Sequence, residues 1–185
     1  MSNSIISSAV SDPYAEALMS IAQSQGLEDQ FGDELRALLG LLEDSADLEA
    51  FLANPLLQPE DKKAVIKSIA GEDTNSLLVN FLLLLVDRRR IMFLAAIAQK
   101  YLELLRKQKN AVLAEITSAS ELNDDQKNAI ADKVKNMTGA ASVELSTTVD
   151  PSLIGGVIVK VGSQILDASL RGQLRRISLN LTSAG

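Results

Sequence analysis

The stretch from Val143 to Gly162, VELSTTVDPSLIGGVIVKVG, decides how this chain folds. Its first half alternates. Val143, Leu145, Thr147 and Val149 fall on one side of an extended backbone, the period of a half-buried strand. Asp150-Pro151 turns the chain, since proline fixes φ and brings no N–H to a sheet. Gly156 to Val161 reads as a second strand, and Gly162-Ser163 turns into a third at Gln164 to Asp167. Gly155-Gly156 suits a tight turn or close backbone packing. A phosphate loop needs Gly-x-x-x-x-Gly-Lys between a strand and a helix, and here strands lie on both sides.

Working outward, Ala111 to Thr117 holds a short β-like run (Val112, Leu113, Ile116). Asn123-Asp124 caps a helix bearing Ile130, Val134 and Met137. After Asp167 a last helix carries Leu170, Leu174, Ile177 and Leu181 at spacings of four, three and four, a narrow seam suited to packing on another element. Arg171, Arg175 and Arg176 ride beside it. Partner contact and a plain solvated edge both suit these arginines. Residues 108–185 therefore read as a small α/β module.

Upstream the period changes to that of helices. Asp12-Pro13 predicts a cap and first-turn proline, opening a short helix with Tyr14, Leu18 and Ile21 that stops at Gly26. Phe31, Leu35, Leu38, Leu39 and Leu42 form the stripe of a second helix. A third follows Ser45 and ends at Asn54-Pro55, and a fourth runs from Pro59 to Gly71 with Val65, Ile66 and Ile69 inward. The fifth, from about Asn75, is apolar almost all round, the pattern of a helix buried on every side. The sixth runs from about Arg90 to Lys107. Residues 1–107 thus predict an N-terminal six-helix bundle, and the fold class is mainly α with a small α/β C-terminal module.

Composition narrows the chemistry. Hydrophobic residues make up 46% and charged residues 23% of the 185, an ordinary globular balance. Cys and His are both absent, which removes disulfides, thiol nucleophiles, imidazole bases and the usual zinc ligands. Residues 1–86 carry fourteen acids and four bases, whereas 87–185 carry ten acids and fourteen bases. An acidic first half repels phosphates and suits a basic amphipathic helix as partner. The start of the chain has neither the charge nor the apolar length of a signal peptide. The most apolar run, Leu77 to Val86, falls far short of the roughly 20 residues that span a bilayer.

The quoted stretch, with its apolar alternation, polar turn, Gly155-Gly156 and an apolar–charged strand closing at Gly162, resembles the C-terminal signature of the ATP synthase delta/OSCP family. Asp167-Ala168-Ser169-Leu170-Arg171-Gly172-Gln173-Leu174 is similar to that family's D-x-S-x-x-G-x-L. Tyr14 to Leu18 resembles its Y-A-x-A-L, Phe51 to Pro55 its F-L-x-N-P, Asn80 to Arg90 its fifth-helix ending, and Leu113 to Ala119 the strand that opens its second module. Arg89 departs from the family, where many relatives have a small or polar residue.

The resemblance implies a non-enzymatic connector of an F-type ATP synthase, present once in a hetero-oligomeric complex. It implies that the helical module receives the N-terminal helix of the alpha subunits, in a groove of the first and fifth helices lined by Tyr14, Ala17, Leu18, Ile21, Phe81, Leu84 and Leu85. The C-terminal module then grips the b-type stalk subunits through Leu170, Arg171, Leu174 and Arg175. No catalytic residue, cofactor or metal is expected, nor nucleic-acid binding or membrane insertion. The expected location is peripheral, on the cytoplasmic or stromal side of a bacterial plasma membrane or thylakoid.

Other features have plainer readings. The acid pairs Glu28-Asp29, Asp33-Glu34, Glu43-Asp44, Glu60-Asp61 and Asp124-Asp125 lie at helix starts or on polar faces, where they favour the helix dipole and solubility. Arg88-Arg89-Arg90 reads as a turn between the fifth and sixth helices that pairs with nearby acids. The competing functional readings are a generic helical adaptor, a carboxylate-dependent hydrolase and a membrane-surface protein.

Overall fold

The computed structural model describes residues 2–71 and 74–174, with side chains from residue 9 onward. The chain is mainly helical with a small four-stranded sheet, and it divides into two compact units, Met1–Leu105 and Arg106–Gly185.

The first unit is built from α1 (Ser2–Gln25), α2 (Glu28–Asp44), α3 (Ala46–Ala53), α4 (Pro59–Ala70), α5 (Ser76–Asp87) and α6 (Leu94–Gln108), with a 3-10 turn at Ile91–Phe93. Each helix turns its apolar stripe inward. On α2 this is Phe31, Leu35, Leu38 and Leu42, and on α6 it is Leu94, Ile97, Tyr101 and Leu105. These meet Leu18, Ile66, Leu78 and Leu85 in one continuous core. Local signals set several ends. Ser45 accepts the Leu48 N–H to start α3, Asn75 accepts the Leu77 N–H to start α5, and Pro59 occupies the first turn of α4.

Two boundaries depart from the sequence reading. The first helix is not short and does not begin at Pro13, which lies inside α1. An internal proline removes one helical hydrogen bond and costs about 3 kcal/mol. Here Ser11 on one side of it and Ala15, Leu18, Met19 and Ala22 on the other are all buried, so tertiary packing offsets that cost. The sixth helix also begins later than Arg90. After α5 the Arg90 N–H bonds to the Leu85 carbonyl at 2.7 Å and the Arg89 N–H to the Val86 carbonyl at 2.9 Å. Arg89 itself has φ +54. This is a Schellman end with an arginine in the left-handed position that usually takes glycine. It explains why a small residue suits position 89, and it delays the next helix through the 3-10 turn.

Tyr101 is fully buried, and its hydroxyl donates to the Glu28 carbonyl at 3.0 Å. That bond pins α6 to the start of α2, and burial pushes the phenol pKa upward. Tyr101→Phe leaves the carbonyl short of a donor, so a loss of about 1 kcal/mol is expected in denaturant unfolding.

The second unit runs β1 (Ala111–Ser118), α7 (Asp124–Thr138), β2 (Ser142–Val149), a 3-10 turn at Pro151–Leu153, β3 (Val157–Val161) and β4 (Gln164–Asp167). Residues 170–174 are helical. The sheet order is β2-β1-β3-β4. β1 and β2 are parallel, with Ala111 opposite Ser142, and joined by α7, while β1 and β3 are antiparallel with Ile116 opposite Val159. α7 begins with a full capping box between Asn123 and Gln126. Its Val134 packs with Ala114, Ile116 and Val159, and Val143, Leu145 and Leu166 flank them.

The alternating face of β2 is less covered than its pattern predicts. Val143 and Leu145 are half-buried, but Thr147 and Val149 are exposed. β2 is an outer strand, and only its first half joins the apolar cluster with α7. At its end Asp150 accepts from the N–H and hydroxyl of Ser152, and those bonds hold its carboxyl below the ordinary range.

Candidate functional site

In the first unit the surface of interest is made by α1 and α5. Tyr14, Ala17 and Ile21, three and four residues apart, share one stripe of α1. On α5, Leu77 and Leu84 stand two turns apart on another stripe. Ile21, Leu77 and Leu84 are 41%, 40% and 44% exposed, an unusual outlay of large aliphatic surface. The Tyr14 and Phe81 rings meet edge to face with centroids 6.4 Å apart, so the two helices are neighbours at this point. The α1 stripe is flanked by the acids Asp12 and Glu16, and both act on Lys100.

The seven residues expected at this surface do not share one environment. Leu18 and Leu85 are wholly enclosed and Phe81 nearly so. They face the bundle and hold it together, because they lie in the one core cluster that the helices of this unit share. Tyr14, Ala17, Ile21 and Leu84 are the members that reach the surface. Leu77 belongs with them and was missed, although its place seven residues before Leu84 put it on the same stripe. The expectation that α5 is buried on every side is corrected by Leu77 and Leu84.

In the second unit the family-like motifs form one connected device. Asp167 Oδ1 accepts from the Ser169 N–H at 2.9 Å and from the Ser169 hydroxyl at 2.6 Å. Ser169 Oγ in turn accepts the Gly172 N–H at 3.0 Å, so Ser169, itself buried, caps the helical residues 170–174. Gly172 has no side chain because the Asp167 carboxylate occupies that space. Across from this cap, the Leu170 N–H bonds to the Gly155 carbonyl and the Ala168 N–H to the Val157 carbonyl, both at 2.9 Å. Gly156 sits at φ +81, where a Cβ would overlap the Ala168 carbonyl. The two glycines therefore let the chain leaving β4 lie directly on the start of β3.

Leu170 and Leu174, expected to meet a partner, are exposed. Arg171 is exposed too and donates to the Ser152 hydroxyl at 3.4 Å. Arg175 lies outside the described residues, as do Arg176, Ile177 and Leu181. Ile154, beside Gly155, was missed. It is exposed and adopts φ +67, which a β-branched residue rarely accepts. Also missed was a groove of about 540 Å³ between α7 and the β3–β4 side of the sheet, walled by Ile130, Val134, Met137, Val159, Ile165 and Leu166. α7 lies toward β1 and β2, so among the described residues no element covers the same face of β3 and β4. Periodicity cannot show this, because it depends on strand order.

Among the described residues no group of three acids is placed to hold a metal ion, and no helix is long and apolar enough to cross a membrane. Each of the two units thus presents an apolar surface among its described residues.

The profile of the ATP synthase delta (OSCP) subunit family matches residues 10–181. The chain is 53% identical to ATP synthase subunit delta of Crocosphaera subtropica and 54% identical to that of Synechocystis sp., each over 184 residues and 100% of both chains. It is 57% identical over 170 residues to that of Synechococcus sp., covering 92% of each. In structure it is similar to a chain in the cryo-EM structure of the Toxoplasma gondii mitochondrial ATP synthase hexamer, with a TM-score of 0.71 and 23% identity. That match covers 94% of this chain and 97% of the other, and it speaks for the fold. The chain belongs to the ATP synthase delta (OSCP) subunit family, and it is a structural subunit, not an enzyme.

Proposed function

We propose that this chain is the stator connector of an F-type ATP synthase, tying the alpha subunits of the catalytic head to the b-type peripheral stalk. A rotary synthase yields ATP only while its head is kept from turning with the central shaft. The connector contributes no chemistry to this. It contributes attachment at two points, slow to dissociate. Peripheral residence on the cytoplasmic or stromal face of a thylakoid or bacterial plasma membrane follows from that role.

The observation that carries the reading is the exposed apolar stripe of α1 and α5, bridged by Tyr14 and Phe81. A basic amphipathic helix, here the N-terminal segment of an alpha subunit, suits it. Apolar anchors one or two turns apart would lie on Ala17, Ile21, Leu77 and Leu84, with Asp12 and Glu16 facing its cations. Each aliphatic side chain so covered contributes roughly 1.5–3 kcal/mol before ordering costs. For the stalk, Leu170, Leu174 and Ile154 offer apolar contacts and Arg171 a cation, and the groove between α7 and β3–β4 extends that surface.

The test uses the alpha-subunit N-terminal peptide and the full-length chain. Ile21→Glu and Leu84→Glu are expected to leave the thermal midpoint within a few degrees of the parent and to weaken peptide binding more than a hundredfold. Two buried methylene-rich contacts are lost and an acid is set against an apolar face. Unchanged binding in calorimetric titration, or no binding by the parent at micromolar peptide, would defeat the assignment of this surface.

A further inference from the structure

The first unit is acidic, yet one pole of it is basic and unneutralised. Among the described residues the side chains of Arg88, Arg89 and Arg90 make no ion pair or hydrogen bond. The expectation that this turn pairs with nearby acids is therefore corrected. The adjacent acid, Asp87, is engaged by Lys63 at 2.5 Å. Lys62 shares the pole. Its stem is buried, and its ammonium donates to the Leu52 carbonyl at 2.6 Å, with no carboxylate partner. Loss of solvation lowers its pKa without a compensating charge.

Two of these cations, Lys62 and Arg89, line a hollow of about 220 Å³ walled also by Leu52, Pro55, Val86 and Ile91, and Arg88 and Arg90 flank Arg89 in the chain. At its rim Leu56 is 87% and Met92 58% exposed. Arg89 also holds its left-handed backbone here, where glycine, as at Gly26, Gly71 and Gly139, or asparagine, as at Asn110, would be easier. A strained, charged residue in place of a strain-free one points to a role for its side chain.

We propose that the turn after α5, with the hollow beside it, is a docking site for an acidic peptide segment of a partner protein. Carboxylates of that segment pair with Arg88 and Arg89, which present planar forks to them. An apolar side chain between those carboxylates enters the hollow, whose size fits one residue, and neighbouring apolar groups cover Leu56 and Met92. A phosphate headgroup suits the site less well, because only Arg89 and Lys62 line the hollow and the Lys62 ammonium is already held by the Leu52 carbonyl, so the cations do not converge on one point. The site is separate from the α1–α5 surface and opposite to it in charge preference.

The experiment takes the full-length chain and a rhodamine-labelled peptide with leucine and glutamate in helical alternation. The same peptide with lysine for glutamate and vesicles of phosphatidylglycerol serve as alternatives. Saturable anisotropy change is expected with the acidic peptide only, with amide shifts confined to the neighbourhood of Leu56, Lys62 and Met92. Arg88→Ser with Arg89→Gly, which relieves the backbone while removing charge, should weaken binding about tenfold or more, and added salt should weaken the parent alone. Leu56→Ser should weaken it as well, whereas Ile21→Glu should leave it unchanged and so separates this site from the alpha-subunit surface. Absent binding, binding indifferent to these variants, or vesicle binding that the same variants abolish would overturn the proposal.

Discussion

Leu18→Asp is expected to unfold the first unit, whereas Ile21→Asp three residues on leaves it folded and removes a docking contact. Leu18 has no exposed surface and lies in the core with Phe31, Leu35, Leu78 and Leu85. Truncation to alanine there costs about 2–5 kcal/mol in transfer and cavity terms. A carboxylate costs more still, since it must lose its hydration with no partner offered. Such a loss is comparable with the whole stability of a domain of this size, about 5–15 kcal/mol. Ile21 is two-fifths exposed, so Ile21→Asp falls in the surface class with an effect of about 0.5 kcal/mol or less.

The measurement can isolate the unit concerned. Tyr14 and Tyr101 are the two tyrosines, there is no tryptophan, and both lie in the first unit. Near-ultraviolet dichroism or tyrosine emission in a urea titration therefore reads that unit alone. A cooperative Leu18→Asp transition at the parent's midpoint would show that the α1 stripe has been assigned to the wrong sides.

Gly156→Val has the other large expected effect, confined to the second unit. The residue holds φ +81, and a side chain would meet the Ala168 carbonyl and the Ser169 Cα. Left-handed backbone for a β-branched residue and overlap with fixed backbone together cost roughly 2–4 kcal/mol. To accommodate it, the chain at Ala168 must move off Val157. That breaks the bonds from Ala168 and Leu170 and frees the Ser169 cap that starts the last helix. Faster amide exchange from Ala168 to Gly172 and loss of binding to a stalk-subunit peptide are expected, with the tyrosine signal unmoved. If the exchange of those amides kept its parental rate, the glycine would not be the support described here.

Much of the fold was legible in the residues. β2 and β4 follow from alternation and turn chemistry, since side-chain direction in a strand has a period of two whatever the neighbours are. α2 to α5 follow from apolar stripes bounded by Ser45, Asn54-Pro55, Pro59, Gly71 and Asn75, signals that act within a few residues. The family motifs from Val143 to Leu174 were equally plain, but their physical meaning was not. That Gly156, Asp167, Ser169 and Gly172 form one junction depends on two chain segments meeting in space.

The candidate surfaces were legible only in part. The amphipathic pattern of α1 and α5 named seven residues but could not divide them, because Leu18 and Ile21 differ only in what the other helices do to them. Pro13 misled for a related reason. Its local cost predicts a helix start, and the packing that outweighs this cost is long-range.

The sequence by itself determined a helical first part, an α/β second part, the absence of cysteine and histidine chemistry, and the family, because each of these is written in composition or short-range order. Tertiary structure alone decided, among the described residues, which apolar side chains face outward, which cations lack a counter-charge, and where the sheet is left uncovered. The reason is that exposure and pairing are set by the sum of neighbours from distant parts of the chain.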